Sequence, residues 1–433
     1  MTRPVPTPSH RAWANAEIGV IIHLDVQVFE PAYKFREQRG YTPPPSVFNP
    51  HSLDTDQWIS TAAKAGAKYA VLVAKHCSGF SLWPTKAHSY SVASSPWRGG
   101  KGDIVGDFIA SCARYGVKPG IYASASCNAF LGVDNPGRVL SGDAAEQTRY
   151  NRIVEQQLTE LWSNYGELFE IWFDGGVLPV REGGPDIIPL LTRLQPNAVV
   201  FQGPHECASL LRWVGNERGE APYPCWATTS ITTSDDGTKE RIDCAGSADG
   251  DRWAPAESDM PNRDQHKAFQ GGWFWRKGDE QHLYSPEHLV ERYYQSIGRN
   301  SNLLLGMVID DRGLVPDADI AQFTAFGRTI ARTFERALGT TEGRGDITLA
   351  FDTPTRIDTL VIAEDITNGE SIRTYTVDGD TGNGTERLCA GTAVGHKRIE
   401  RFAPRTVRSL TLSVSADGEA PPMTLSAFSR GAA

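Results

Sequence analysis

Residues 167–176 read ELFEIWFDGG, an apolar run that ends in a carboxylate and a pair of glycines. The apolar residues at 168–173 predict a buried strand, with Asp174 at its end and a turn at Gly175 and Gly176. Glycine lets the backbone and a ligand approach each other closely. The stretch therefore predicts a strand that presents a carboxylate to a site, although an aspartate that only caps the following turn would show the same pattern.

Short apolar runs alternate with helical patterns on both sides of this stretch. The runs lie at 18–22, 69–74, 120–123, 168–173, 198–201 and 303–308, and the helical patterns at 56–66, 103–116, 145–165, 186–194 and 286–299. Repetition of strand and helix gives a parallel sheet, and five or more repeats in series favour a closed barrel. No GxGxxG motif follows the first strand, so a dinucleotide-binding fold has no support. We predict an α/β protein with a (β/α)8-like barrel over residues 1–337.

Two parts of the chain depart from this repeat. Residues 203–285 form an irregular segment rich in Gly, Pro, Trp and charge, and long loops of this kind usually build the site of a barrel. After a linking helix predicted over 317–337, residues 346–430 alternate in the manner of short strands, with turn signals such as Asn383-Gly384 between them. This pattern predicts a C-terminal β-sandwich over residues 338–433.

The composition excludes several classes of function. A net charge of −9 without a run of Lys or Arg argues against nucleic acid or an anionic membrane as a partner. No run of 18 apolar residues predicts a membrane span. Seven scattered Cys without a CxxC motif, and no visible signal peptide, favour reduced thiols in the cytoplasm. A secreted or periplasmic protein whose leader had been removed would look the same, and the oligomeric state stays open.

The working residues of a parallel barrel stand where its strands end. Reading off those positions gives five polar side chains that the fold would bring to one rim: His23, His76, Tyr122, Asp174 and Gln202. Several of the 11 Trp lie in polar, glycine-rich loops, among them Trp273 and Trp275. Aromatic faces stack on sugar rings, and core packing is the alternative for each of them.

A glycosidase needs two carboxylates, one to attack the anomeric carbon and one to protonate the leaving oxygen. Asp174 is the candidate nucleophile. For the acid/base, the irregular segment offers Glu206, Glu217, Glu220 and Glu257. Glu217 lies in RWVGNERGEAP, directly after the apolar run at 210–214, and is the first choice; Glu257, in WAPAESD, is the second. A solvated loop charge is the alternative for either.

Two other classes of function stay open. In a metal-dependent barrel hydrolase, His23 and Asp25 would begin a metal site to which His76 and Asp174 add two ligands, but no further HxH motif appears. We therefore predict no metal and no cofactor. The third class is a sugar-binding barrel that has lost catalysis.

Several stretches together resemble the α-L-fucosidases of glycoside hydrolase family 29. They are KYAVLVAKHCSGFSLWPTKAHSYSV at 68–92, GDIVGDFIASCARYGVKPGIYAS at 102–124, IWFDGG at 171–176 and NSNLLLGMVIDDRGLVPD at 300–317. EIGVIIHLD at 17–25 is similar to the family's first-strand motif. The resemblance keeps the family's order and covers about residues 12–320.

The resemblance implies retaining exo-hydrolysis of terminal α-L-fucosides, with glycosides or oligosaccharides as substrates and no metal or other cofactor. It places the nucleophile at Asp174 and sugar-binding roles at His23, His76, Tyr122 and Trp172. In one branch of the family the acid/base is the Glu of a WVGNE motif, which falls on Glu217. The GGWFW run with Trp273 and Trp275 is similar to that branch, which typically prefers branched α-1,3/1,4-linked fucose.

Two departures from the family pattern concern the sugar. Cys77 stands where the family has a second His, and Ser78 replaces the usual Asp. A thiol is a weak hydrogen-bonding partner, and a buried hydroxyl without its partner costs about 1–3 kcal/mol. Either a neighbour such as Asp25 supplies the contact, or the preferred substrate carries another α-L-sugar, such as L-galactose or L-glucose.

Overall fold

The computed structural model describes residues 3–38, 40–233 and 240–430, and eight parallel strands in it close into a barrel. Each strand pairs with its neighbours in chain order, and β8 closes the barrel against β1, from Ile18 opposite Leu303 to His23 opposite Val308. The predicted barrel is confirmed. Its strands are β1 (Ile18–His23), β2 (Tyr69–Lys75), β3 (Lys118–Ala123), β4 (Glu170–Trp172), β5 (Val199–Phe201), β6 (Leu210–Trp213), β7 (Ala256–Met260) and β8 (Ser301–Val308).

The helices begin and end close to the predicted positions because local capping signals define them. Asp54, Asp103 and Asp143 each accept a backbone N–H at the start of a helix, and Gly116 ends one in the left-handed conformation. The helices are α1 (Pro8–Ala14), α2 (Val26–Phe29), α3 (Thr55–Lys64), α4 (Ile104–Tyr115), α5 (Ala144–Asn164), α6 (Ile188–Leu194), α7 (Pro286–Ser296) and α8 (Asp317–Phe334). The predicted linking helix is α8, which follows the last barrel strand.

Two barrel strands lie within the segment 203–285. Strand β6 coincides with the apolar run at 210–214, whereas β7 falls where only irregular structure was expected. Strand β7 reads AESDM, and its five residues are all buried although three of them are polar. Because three of its five residues are polar, β7 lacks the apolar run by which the other barrel strands are recognised in the sequence. Among the described residues that connect β5 to β6 and β6 to β7, none forms an α-helix.

Short antiparallel ribbons pair Val133–Asp134 with Arg138–Val139, Thr228–Thr229 with Arg252–Trp253, and Ile231–Thr233 with Glu240–Ile242.

After the barrel, six antiparallel strands form the predicted sandwich as one hydrogen-bonded sheet. Two long strands, of 18 and 19 residues, pass through both halves of it and bend at bulges. Ile347 and Leu412 from one half share an apolar cluster with Ile362 and Leu425 from the other, so the halves pack face to face. In the order β9-β14-β10-β13-β11-β12 the strands are β9 (Gly339–Arg344), β10 (Ile347–Glu364), β11 (Ile372–Asp380), β12 (Thr385–Gly391), β13 (Arg398–Ala416) and β14 (Pro422–Phe428).

Polar contacts fix this sheet on the barrel. The buried Glu370 carboxylate accepts the Ala227 N–H at 2.9 Å, and Arg401 makes two hydrogen bonds of 2.7 and 2.8 Å to Glu291 on α7. None of the helices in the described ranges has the length and apolar character needed to span a bilayer.

Candidate active site

Four predicted residues meet at the carboxyl end of the barrel strands. The rings of His23 and His76 lie 6.3 Å apart, and His76 stacks at 5.9 Å on Tyr122. The Tyr122 hydroxyl donates a hydrogen bond of 3.0 Å to Oδ2 of Asp174. Burial and the Asp174 charge raise the pKa of Tyr122 well above its usual range, so this hydroxyl stays a neutral donor. A continuous set of contacts therefore leads from the end of β1 to the candidate nucleophile.

The same set of contacts continues in the other direction to the candidate acid. The ring of His23 lies 5.1 Å from that of Trp273, and the Trp273 Nε1 donates to Oε2 of Glu217 at 3.1 Å. Phe274 closes the space behind the histidines, with its ring 5.1 Å from His23 and 4.9 Å from His76. Asp174 and Glu217 thus stand at the two ends of one rim of predicted residues.

The turn after Asp174 is held in a conformation that requires glycine. Gly175 and Gly176 have φ values of +69° and +80°, and a Cβ at Gly175 would lie 2.5 Å from the Asn135 amide nitrogen. The side chain of Gln202, at the end of β5, accepts the Gly175 N–H at 2.9 Å. Gln202 itself has a φ of +49°, an uncommon value for a residue with a side chain. These contacts fix the backbone that carries the Asp174 carboxylate.

Trp172 is the last residue of β4, and the orientation of its ring depends on Glu257. Its ring stacks between Phe201, at 4.2 Å, and Tyr122, at 5.3 Å. Its Nε1 donates to Oε2 of Glu257 at 2.9 Å, and the Tyr69 hydroxyl donates to Oε1 at 2.7 Å. Glu257 therefore orients the indole on which the site rests.

Glu257, the second choice for the acid/base, lies in a barrel strand and not in a loop. Glu257 was expected in a loop, but it lies within β7 and is fully buried. Burial raises the pKa of Glu257, and burial together with Glu257 raises that of Glu170 well above its usual range. Two adjacent buried carboxyls cannot both be ionised without a large cost, so the pair retains a proton inside the barrel. Glu217 is the exposed carboxylate of the two candidates.

The loop that carries Glu217 is anchored on β7 at both ends. Val214 N–H donates to the Glu257 carbonyl at 3.2 Å, and Gly219 N–H donates to the Asp259 carbonyl at 3.0 Å. Between them, the Asn216 side chain donates to the Glu220 carbonyl at 2.9 Å. Glu217 is therefore an exposed carboxylate on a loop of defined shape.

Asp259 is a residue at this rim that the sequence did not single out. It is 3% exposed and accepts a hydrogen bond of 2.6 Å from Trp213 Nε1 at the end of β6. Burial raises the pKa of Asp259 well above its usual range, and the charge of Glu217 acts in the same direction. Alternation along β7 places Asp259 on the same face as Glu257, a signal that becomes visible only once 256–260 is recognised as a strand.

The two histidines are neutral groups with free hydrogen-bonding capacity. Burial lowers the pKa of His23 to about 3 and that of His76 to about 4. Over the described ranges of the chain, the buried Nδ1 atoms of both rings have no hydrogen-bonding partner. A neutral imidazole can donate through one nitrogen and accept through the other, as the hydroxyls of a sugar require.

Asp25 and Ser78 are hydrogen-bonded to each other and connect the segments that follow β1 and β2. The buried Asp25 carboxylate accepts hydrogen bonds of 2.7 Å from the Ser78 hydroxyl and 2.7 Å from Val26 N–H. Burial raises the pKa of Asp25 to about 7. Asp25 thereby joins the ends of β1 and β2, so its carboxylate is already engaged where a free sugar contact was expected.

Cys77 lies directly beside the candidate nucleophile. One ligand atom from each of His76, Cys77 and Asp174 lies within 4.8 Å of the others. The thiol is buried, and a hydrogen bond with the Cys127 thiol, together with that burial, raises the pKa of Cys77 well above its usual range. Trp275, the remaining predicted residue, is partly buried and packs on the main apolar core.

A groove of about 1160 Å³ begins at the Gly175 and Gly176 turn that follows Asp174. Residues 175–182, 185–188, 202–206 and 210–213 line it. Its volume exceeds the usual range for small-molecule sites, about 300–1,000 Å³. The groove is therefore large enough for a group bigger than a single sugar ring.

Comparison with known proteins gives a consistent result over the whole chain. A family model described as alpha-L-fucosidase matches residues 9–333. The chain is 29% identical over 462 residues to alpha-L-fucosidase 1 of Arabidopsis thaliana, which covers 96% of this chain and 85% of that relative.

Two solved structures share the architecture. A candidate α-L-fucosidase from Bacteroides thetaiotaomicron is 35% identical and superposes with a TM-score of 0.91, covering 99% of both chains. A Ruminococcus gnavus family 29 fucosidase in complex with fucose is 23% identical, with a TM-score of 0.82 over 99% of this chain and 96% of that chain. The latter likeness concerns the fold.

Proposed function

We propose that this chain, which belongs to the α-L-fucosidase family of glycoside hydrolases, cleaves terminal α-L-fucosides with retention of configuration. The observation that carries the proposal is the continuous set of contacts that joins Asp174 to Glu217 through two neutral histidines, a tyrosine and a tryptophan. Double displacement at an anomeric carbon needs two carboxyl groups about 5–5.5 Å apart, and this rim carries one candidate at each end.

In the first step Asp174 attacks the anomeric carbon and forms a glycosyl-enzyme. The Tyr122 hydroxyl holds the Oδ2 atom, and the Gly175 turn fixes the backbone behind the carboxylate. Holding the nucleophile in one orientation reduces the entropy lost on reaching the transition state.

Glu217 protonates the leaving oxygen and then, as a base, activates the water that releases the sugar. Its hydrogen bond from Trp273 and the buried carboxyl of Asp259 determine its surroundings. The first step consumes the protonated form of this carboxyl, and the second step uses its ionised form.

We place the sugar between His23, His76 and Tyr122. The neutral imidazoles and the Tyr122 hydroxyl supply hydrogen-bonding groups for its hydroxyls, and the Trp273 ring beside His23 supplies an apolar surface. The groove beside Asp174 suits a branched acceptor of the kind cleaved by the family branch that carries the WVGNE motif.

The identity of the sugar is tested by initial rates with aryl α-L-fucoside, α-L-galactoside and α-L-glucoside. Fastest turnover of the fucoside supports the proposal, whereas a preference for either other sugar keeps the mechanism and reassigns the substrate. No turnover of any of the three, or of a branched α-1,3/1,4-fucosylated oligosaccharide, would contradict it. A Cys77→His variant restores the ring that the family pattern has, and we expect it to raise the fucoside rate relative to the other two.

The stereochemistry is tested by NMR of the first product. Retention gives the α-anomer of the free sugar before mutarotation, and the β-anomer as first product would contradict a double displacement.

A further inference from the structure

Three side chains of different chemistry converge at the nucleophile. A nitrogen of His76, the Sγ of Cys77 and a carboxylate oxygen of Asp174 lie within 4.8 Å of one another. The thiolate, imidazole and carboxylate set is that of zinc sites, in which ligands lie about 2.0–2.3 Å from the metal. Such bond lengths place tetrahedral ligands roughly 3.4 Å apart, so small side-chain rotations would bring these three atoms to that spacing.

We propose that His76, Cys77 and Asp174 form an inhibitory site for a thiophilic divalent cation of the Zn²⁺ type. The site follows from Cys77, because a soft sulfur donor selects such a cation over Mg²⁺ or Ca²⁺, which need six or more oxygen ligands. The fourth position is left to solvent, as in the open sites of zinc proteins.

The surroundings of the three ligands fit this assignment. The Tyr122 hydroxyl donates to Asp174 Oδ2 at 3.0 Å, the kind of contact that orients a ligating carboxylate. The buried Nδ1 of His76 has no partner in the described ranges of the chain. The Cys127 Sγ lies 4.0 Å from the Cys77 carbonyl oxygen, so a second sulfur stands next to the site.

Binding exchanges one proton and involves no redox step. The cation replaces the proton of the Cys77 thiol, which leaves to solvent, and it takes a lone pair from the imidazole and one from the carboxylate. The inhibitory effect rests on the proposed function, because a bound Asp174 carboxylate cannot attack an anomeric carbon. The binding itself does not depend on that function.

The site is tested first by calorimetric titration of the chelator-treated full-length protein with Zn²⁺. We expect one ion per chain and no binding of Mg²⁺ under the same conditions. The Cys77→Ser variant should lose more than about 10-fold in affinity, because even supporting residues around a metal contribute 10- to 100-fold. Wild-type affinity in Cys77→Ser would overturn the proposal, as would the absence of a one-to-one site in the wild type.

Cys244→Ser is the matched control, since Cys244 is an exposed thiol outside the cluster. We expect it to bind Zn²⁺ as the wild type does. If Cys244→Ser loses the ion while Cys77→Ser retains it, the binding belongs to a surface thiol and the proposal is wrong. Circular dichroism and thermal melting of each metal-free variant separate loss of a ligand from loss of the fold.

Spectroscopy and kinetics give two further measurements. Co²⁺ in the wild type should show a thiolate-to-metal charge-transfer band that Cys77→Ser lacks, and such a band in Cys77→Ser would overturn the assignment. With an active substrate, Zn²⁺ should inhibit competitively and a chelator should restore the full rate. Binding without inhibition contradicts the overlap with the nucleophile, whereas inactivity on every glycoside with an intact binding isotherm contradicts only the proposed function.

Discussion

The two halves of the barrel rim are built in different ways. Over residues 18–202, which we term the nucleophile half, each working residue lies within two positions of the end of an apolar strand. Over residues 203–285, the acid half, Glu217 and Trp273 lie on loops, and the strands beside them carry buried polar residues. The nucleophile half is positioned by strand geometry, whereas the Glu217 loop of the acid half is held by hydrogen bonds to the backbone carbonyls of Glu257 and Asp259.

The acid half should show the largest effect at Glu217. Glu217→Ala removes the proton donor, and we expect the rate to fall about 10²- to 10⁴-fold on substrates with poor leaving groups. Activated aryl glycosides need less protonation and should lose less. Initial rates over a series of leaving-group pKa values measure the difference.

Glu220→Gln is the control for this change, because Glu220 lies in the same loop and pairs with Arg292 instead. It should keep the leaving-group dependence of the wild type. If Glu257→Ala shows the steep dependence and Glu217→Ala does not, the roles of these two residues must be exchanged.

In the nucleophile half, the Tyr122 hydroxyl is expected to have the next largest effect. Tyr122→Phe removes a hydrogen bond to a charged carboxylate, worth about 1.5–3 kcal/mol. If that energy is realised in the transition state, kcat falls about 10- to 150-fold while the fold stays intact. An unchanged kcat would mean that the Asp174 carboxylate is positioned by other groups.

The turn after the nucleophile is tested by Gly175→Ala. A side chain in the left-handed conformation costs about 1–2 kcal/mol, and at Gly175 the new Cβ also meets Asn135. Gly183→Ala is the matched control, with a φ of +87° and no atom within 4 Å of the added Cβ. We expect a larger fall in melting temperature and a loss of kcat only for Gly175→Ala. Equal effects would show that the contact with Asn135 does not matter.

The buried carboxyl that supports the acid half predicts a change of stability with pH. Because the pKa of Glu257 is raised in the folded protein, the folded state keeps a proton that the unfolded state loses above about pH 4.3, and the free energy of unfolding falls as the pH rises. Gln at this position does not titrate, so the melting temperature of Glu257→Gln relative to that of the wild type should increase from pH 5 to pH 8. A decrease of this difference over the same range would contradict the raised pKa.

The smallest effect is expected from the histidines of the nucleophile half. Their pKa values of about 3 and 4 lie below that of a free histidine, so the unfolded state binds more protons and the free energy of unfolding falls as the pH drops from about 6.5 towards these values. Nitrogen-15 NMR should show His23 and His76 neutral from pH 8 down to pH 5. A midpoint near 6.5 for either ring would contradict their burial.

The sequence predicts the site residues of the nucleophile half better than those of the acid half. Apolar strands ending at His23, His76 and Asp174 could be recognised from their pattern, because each is followed directly by a polar residue or a turn. Strand β7 could not, because Glu257 and Asp259 satisfy their polar groups through Tyr69, Trp172 and Trp213, which lie far away in the chain. The WVGNE motif singled out Glu217 as a candidate, but the shape of its loop depends on backbone hydrogen bonds to Glu257 and Asp259 of β7.

The central claim, that Asp174 is the nucleophile, is tested most directly by chemical rescue of Asp174→Gly with azide. We predict that the variant is almost inactive on an activated aryl α-L-glycoside and that azide restores turnover. Azide would enter the space left by the carboxylate, so NMR should identify a β-L-glycosyl azide as the product. Full activity of Asp174→Gly without azide, or a product of the α configuration on rescue, would contradict the assignment.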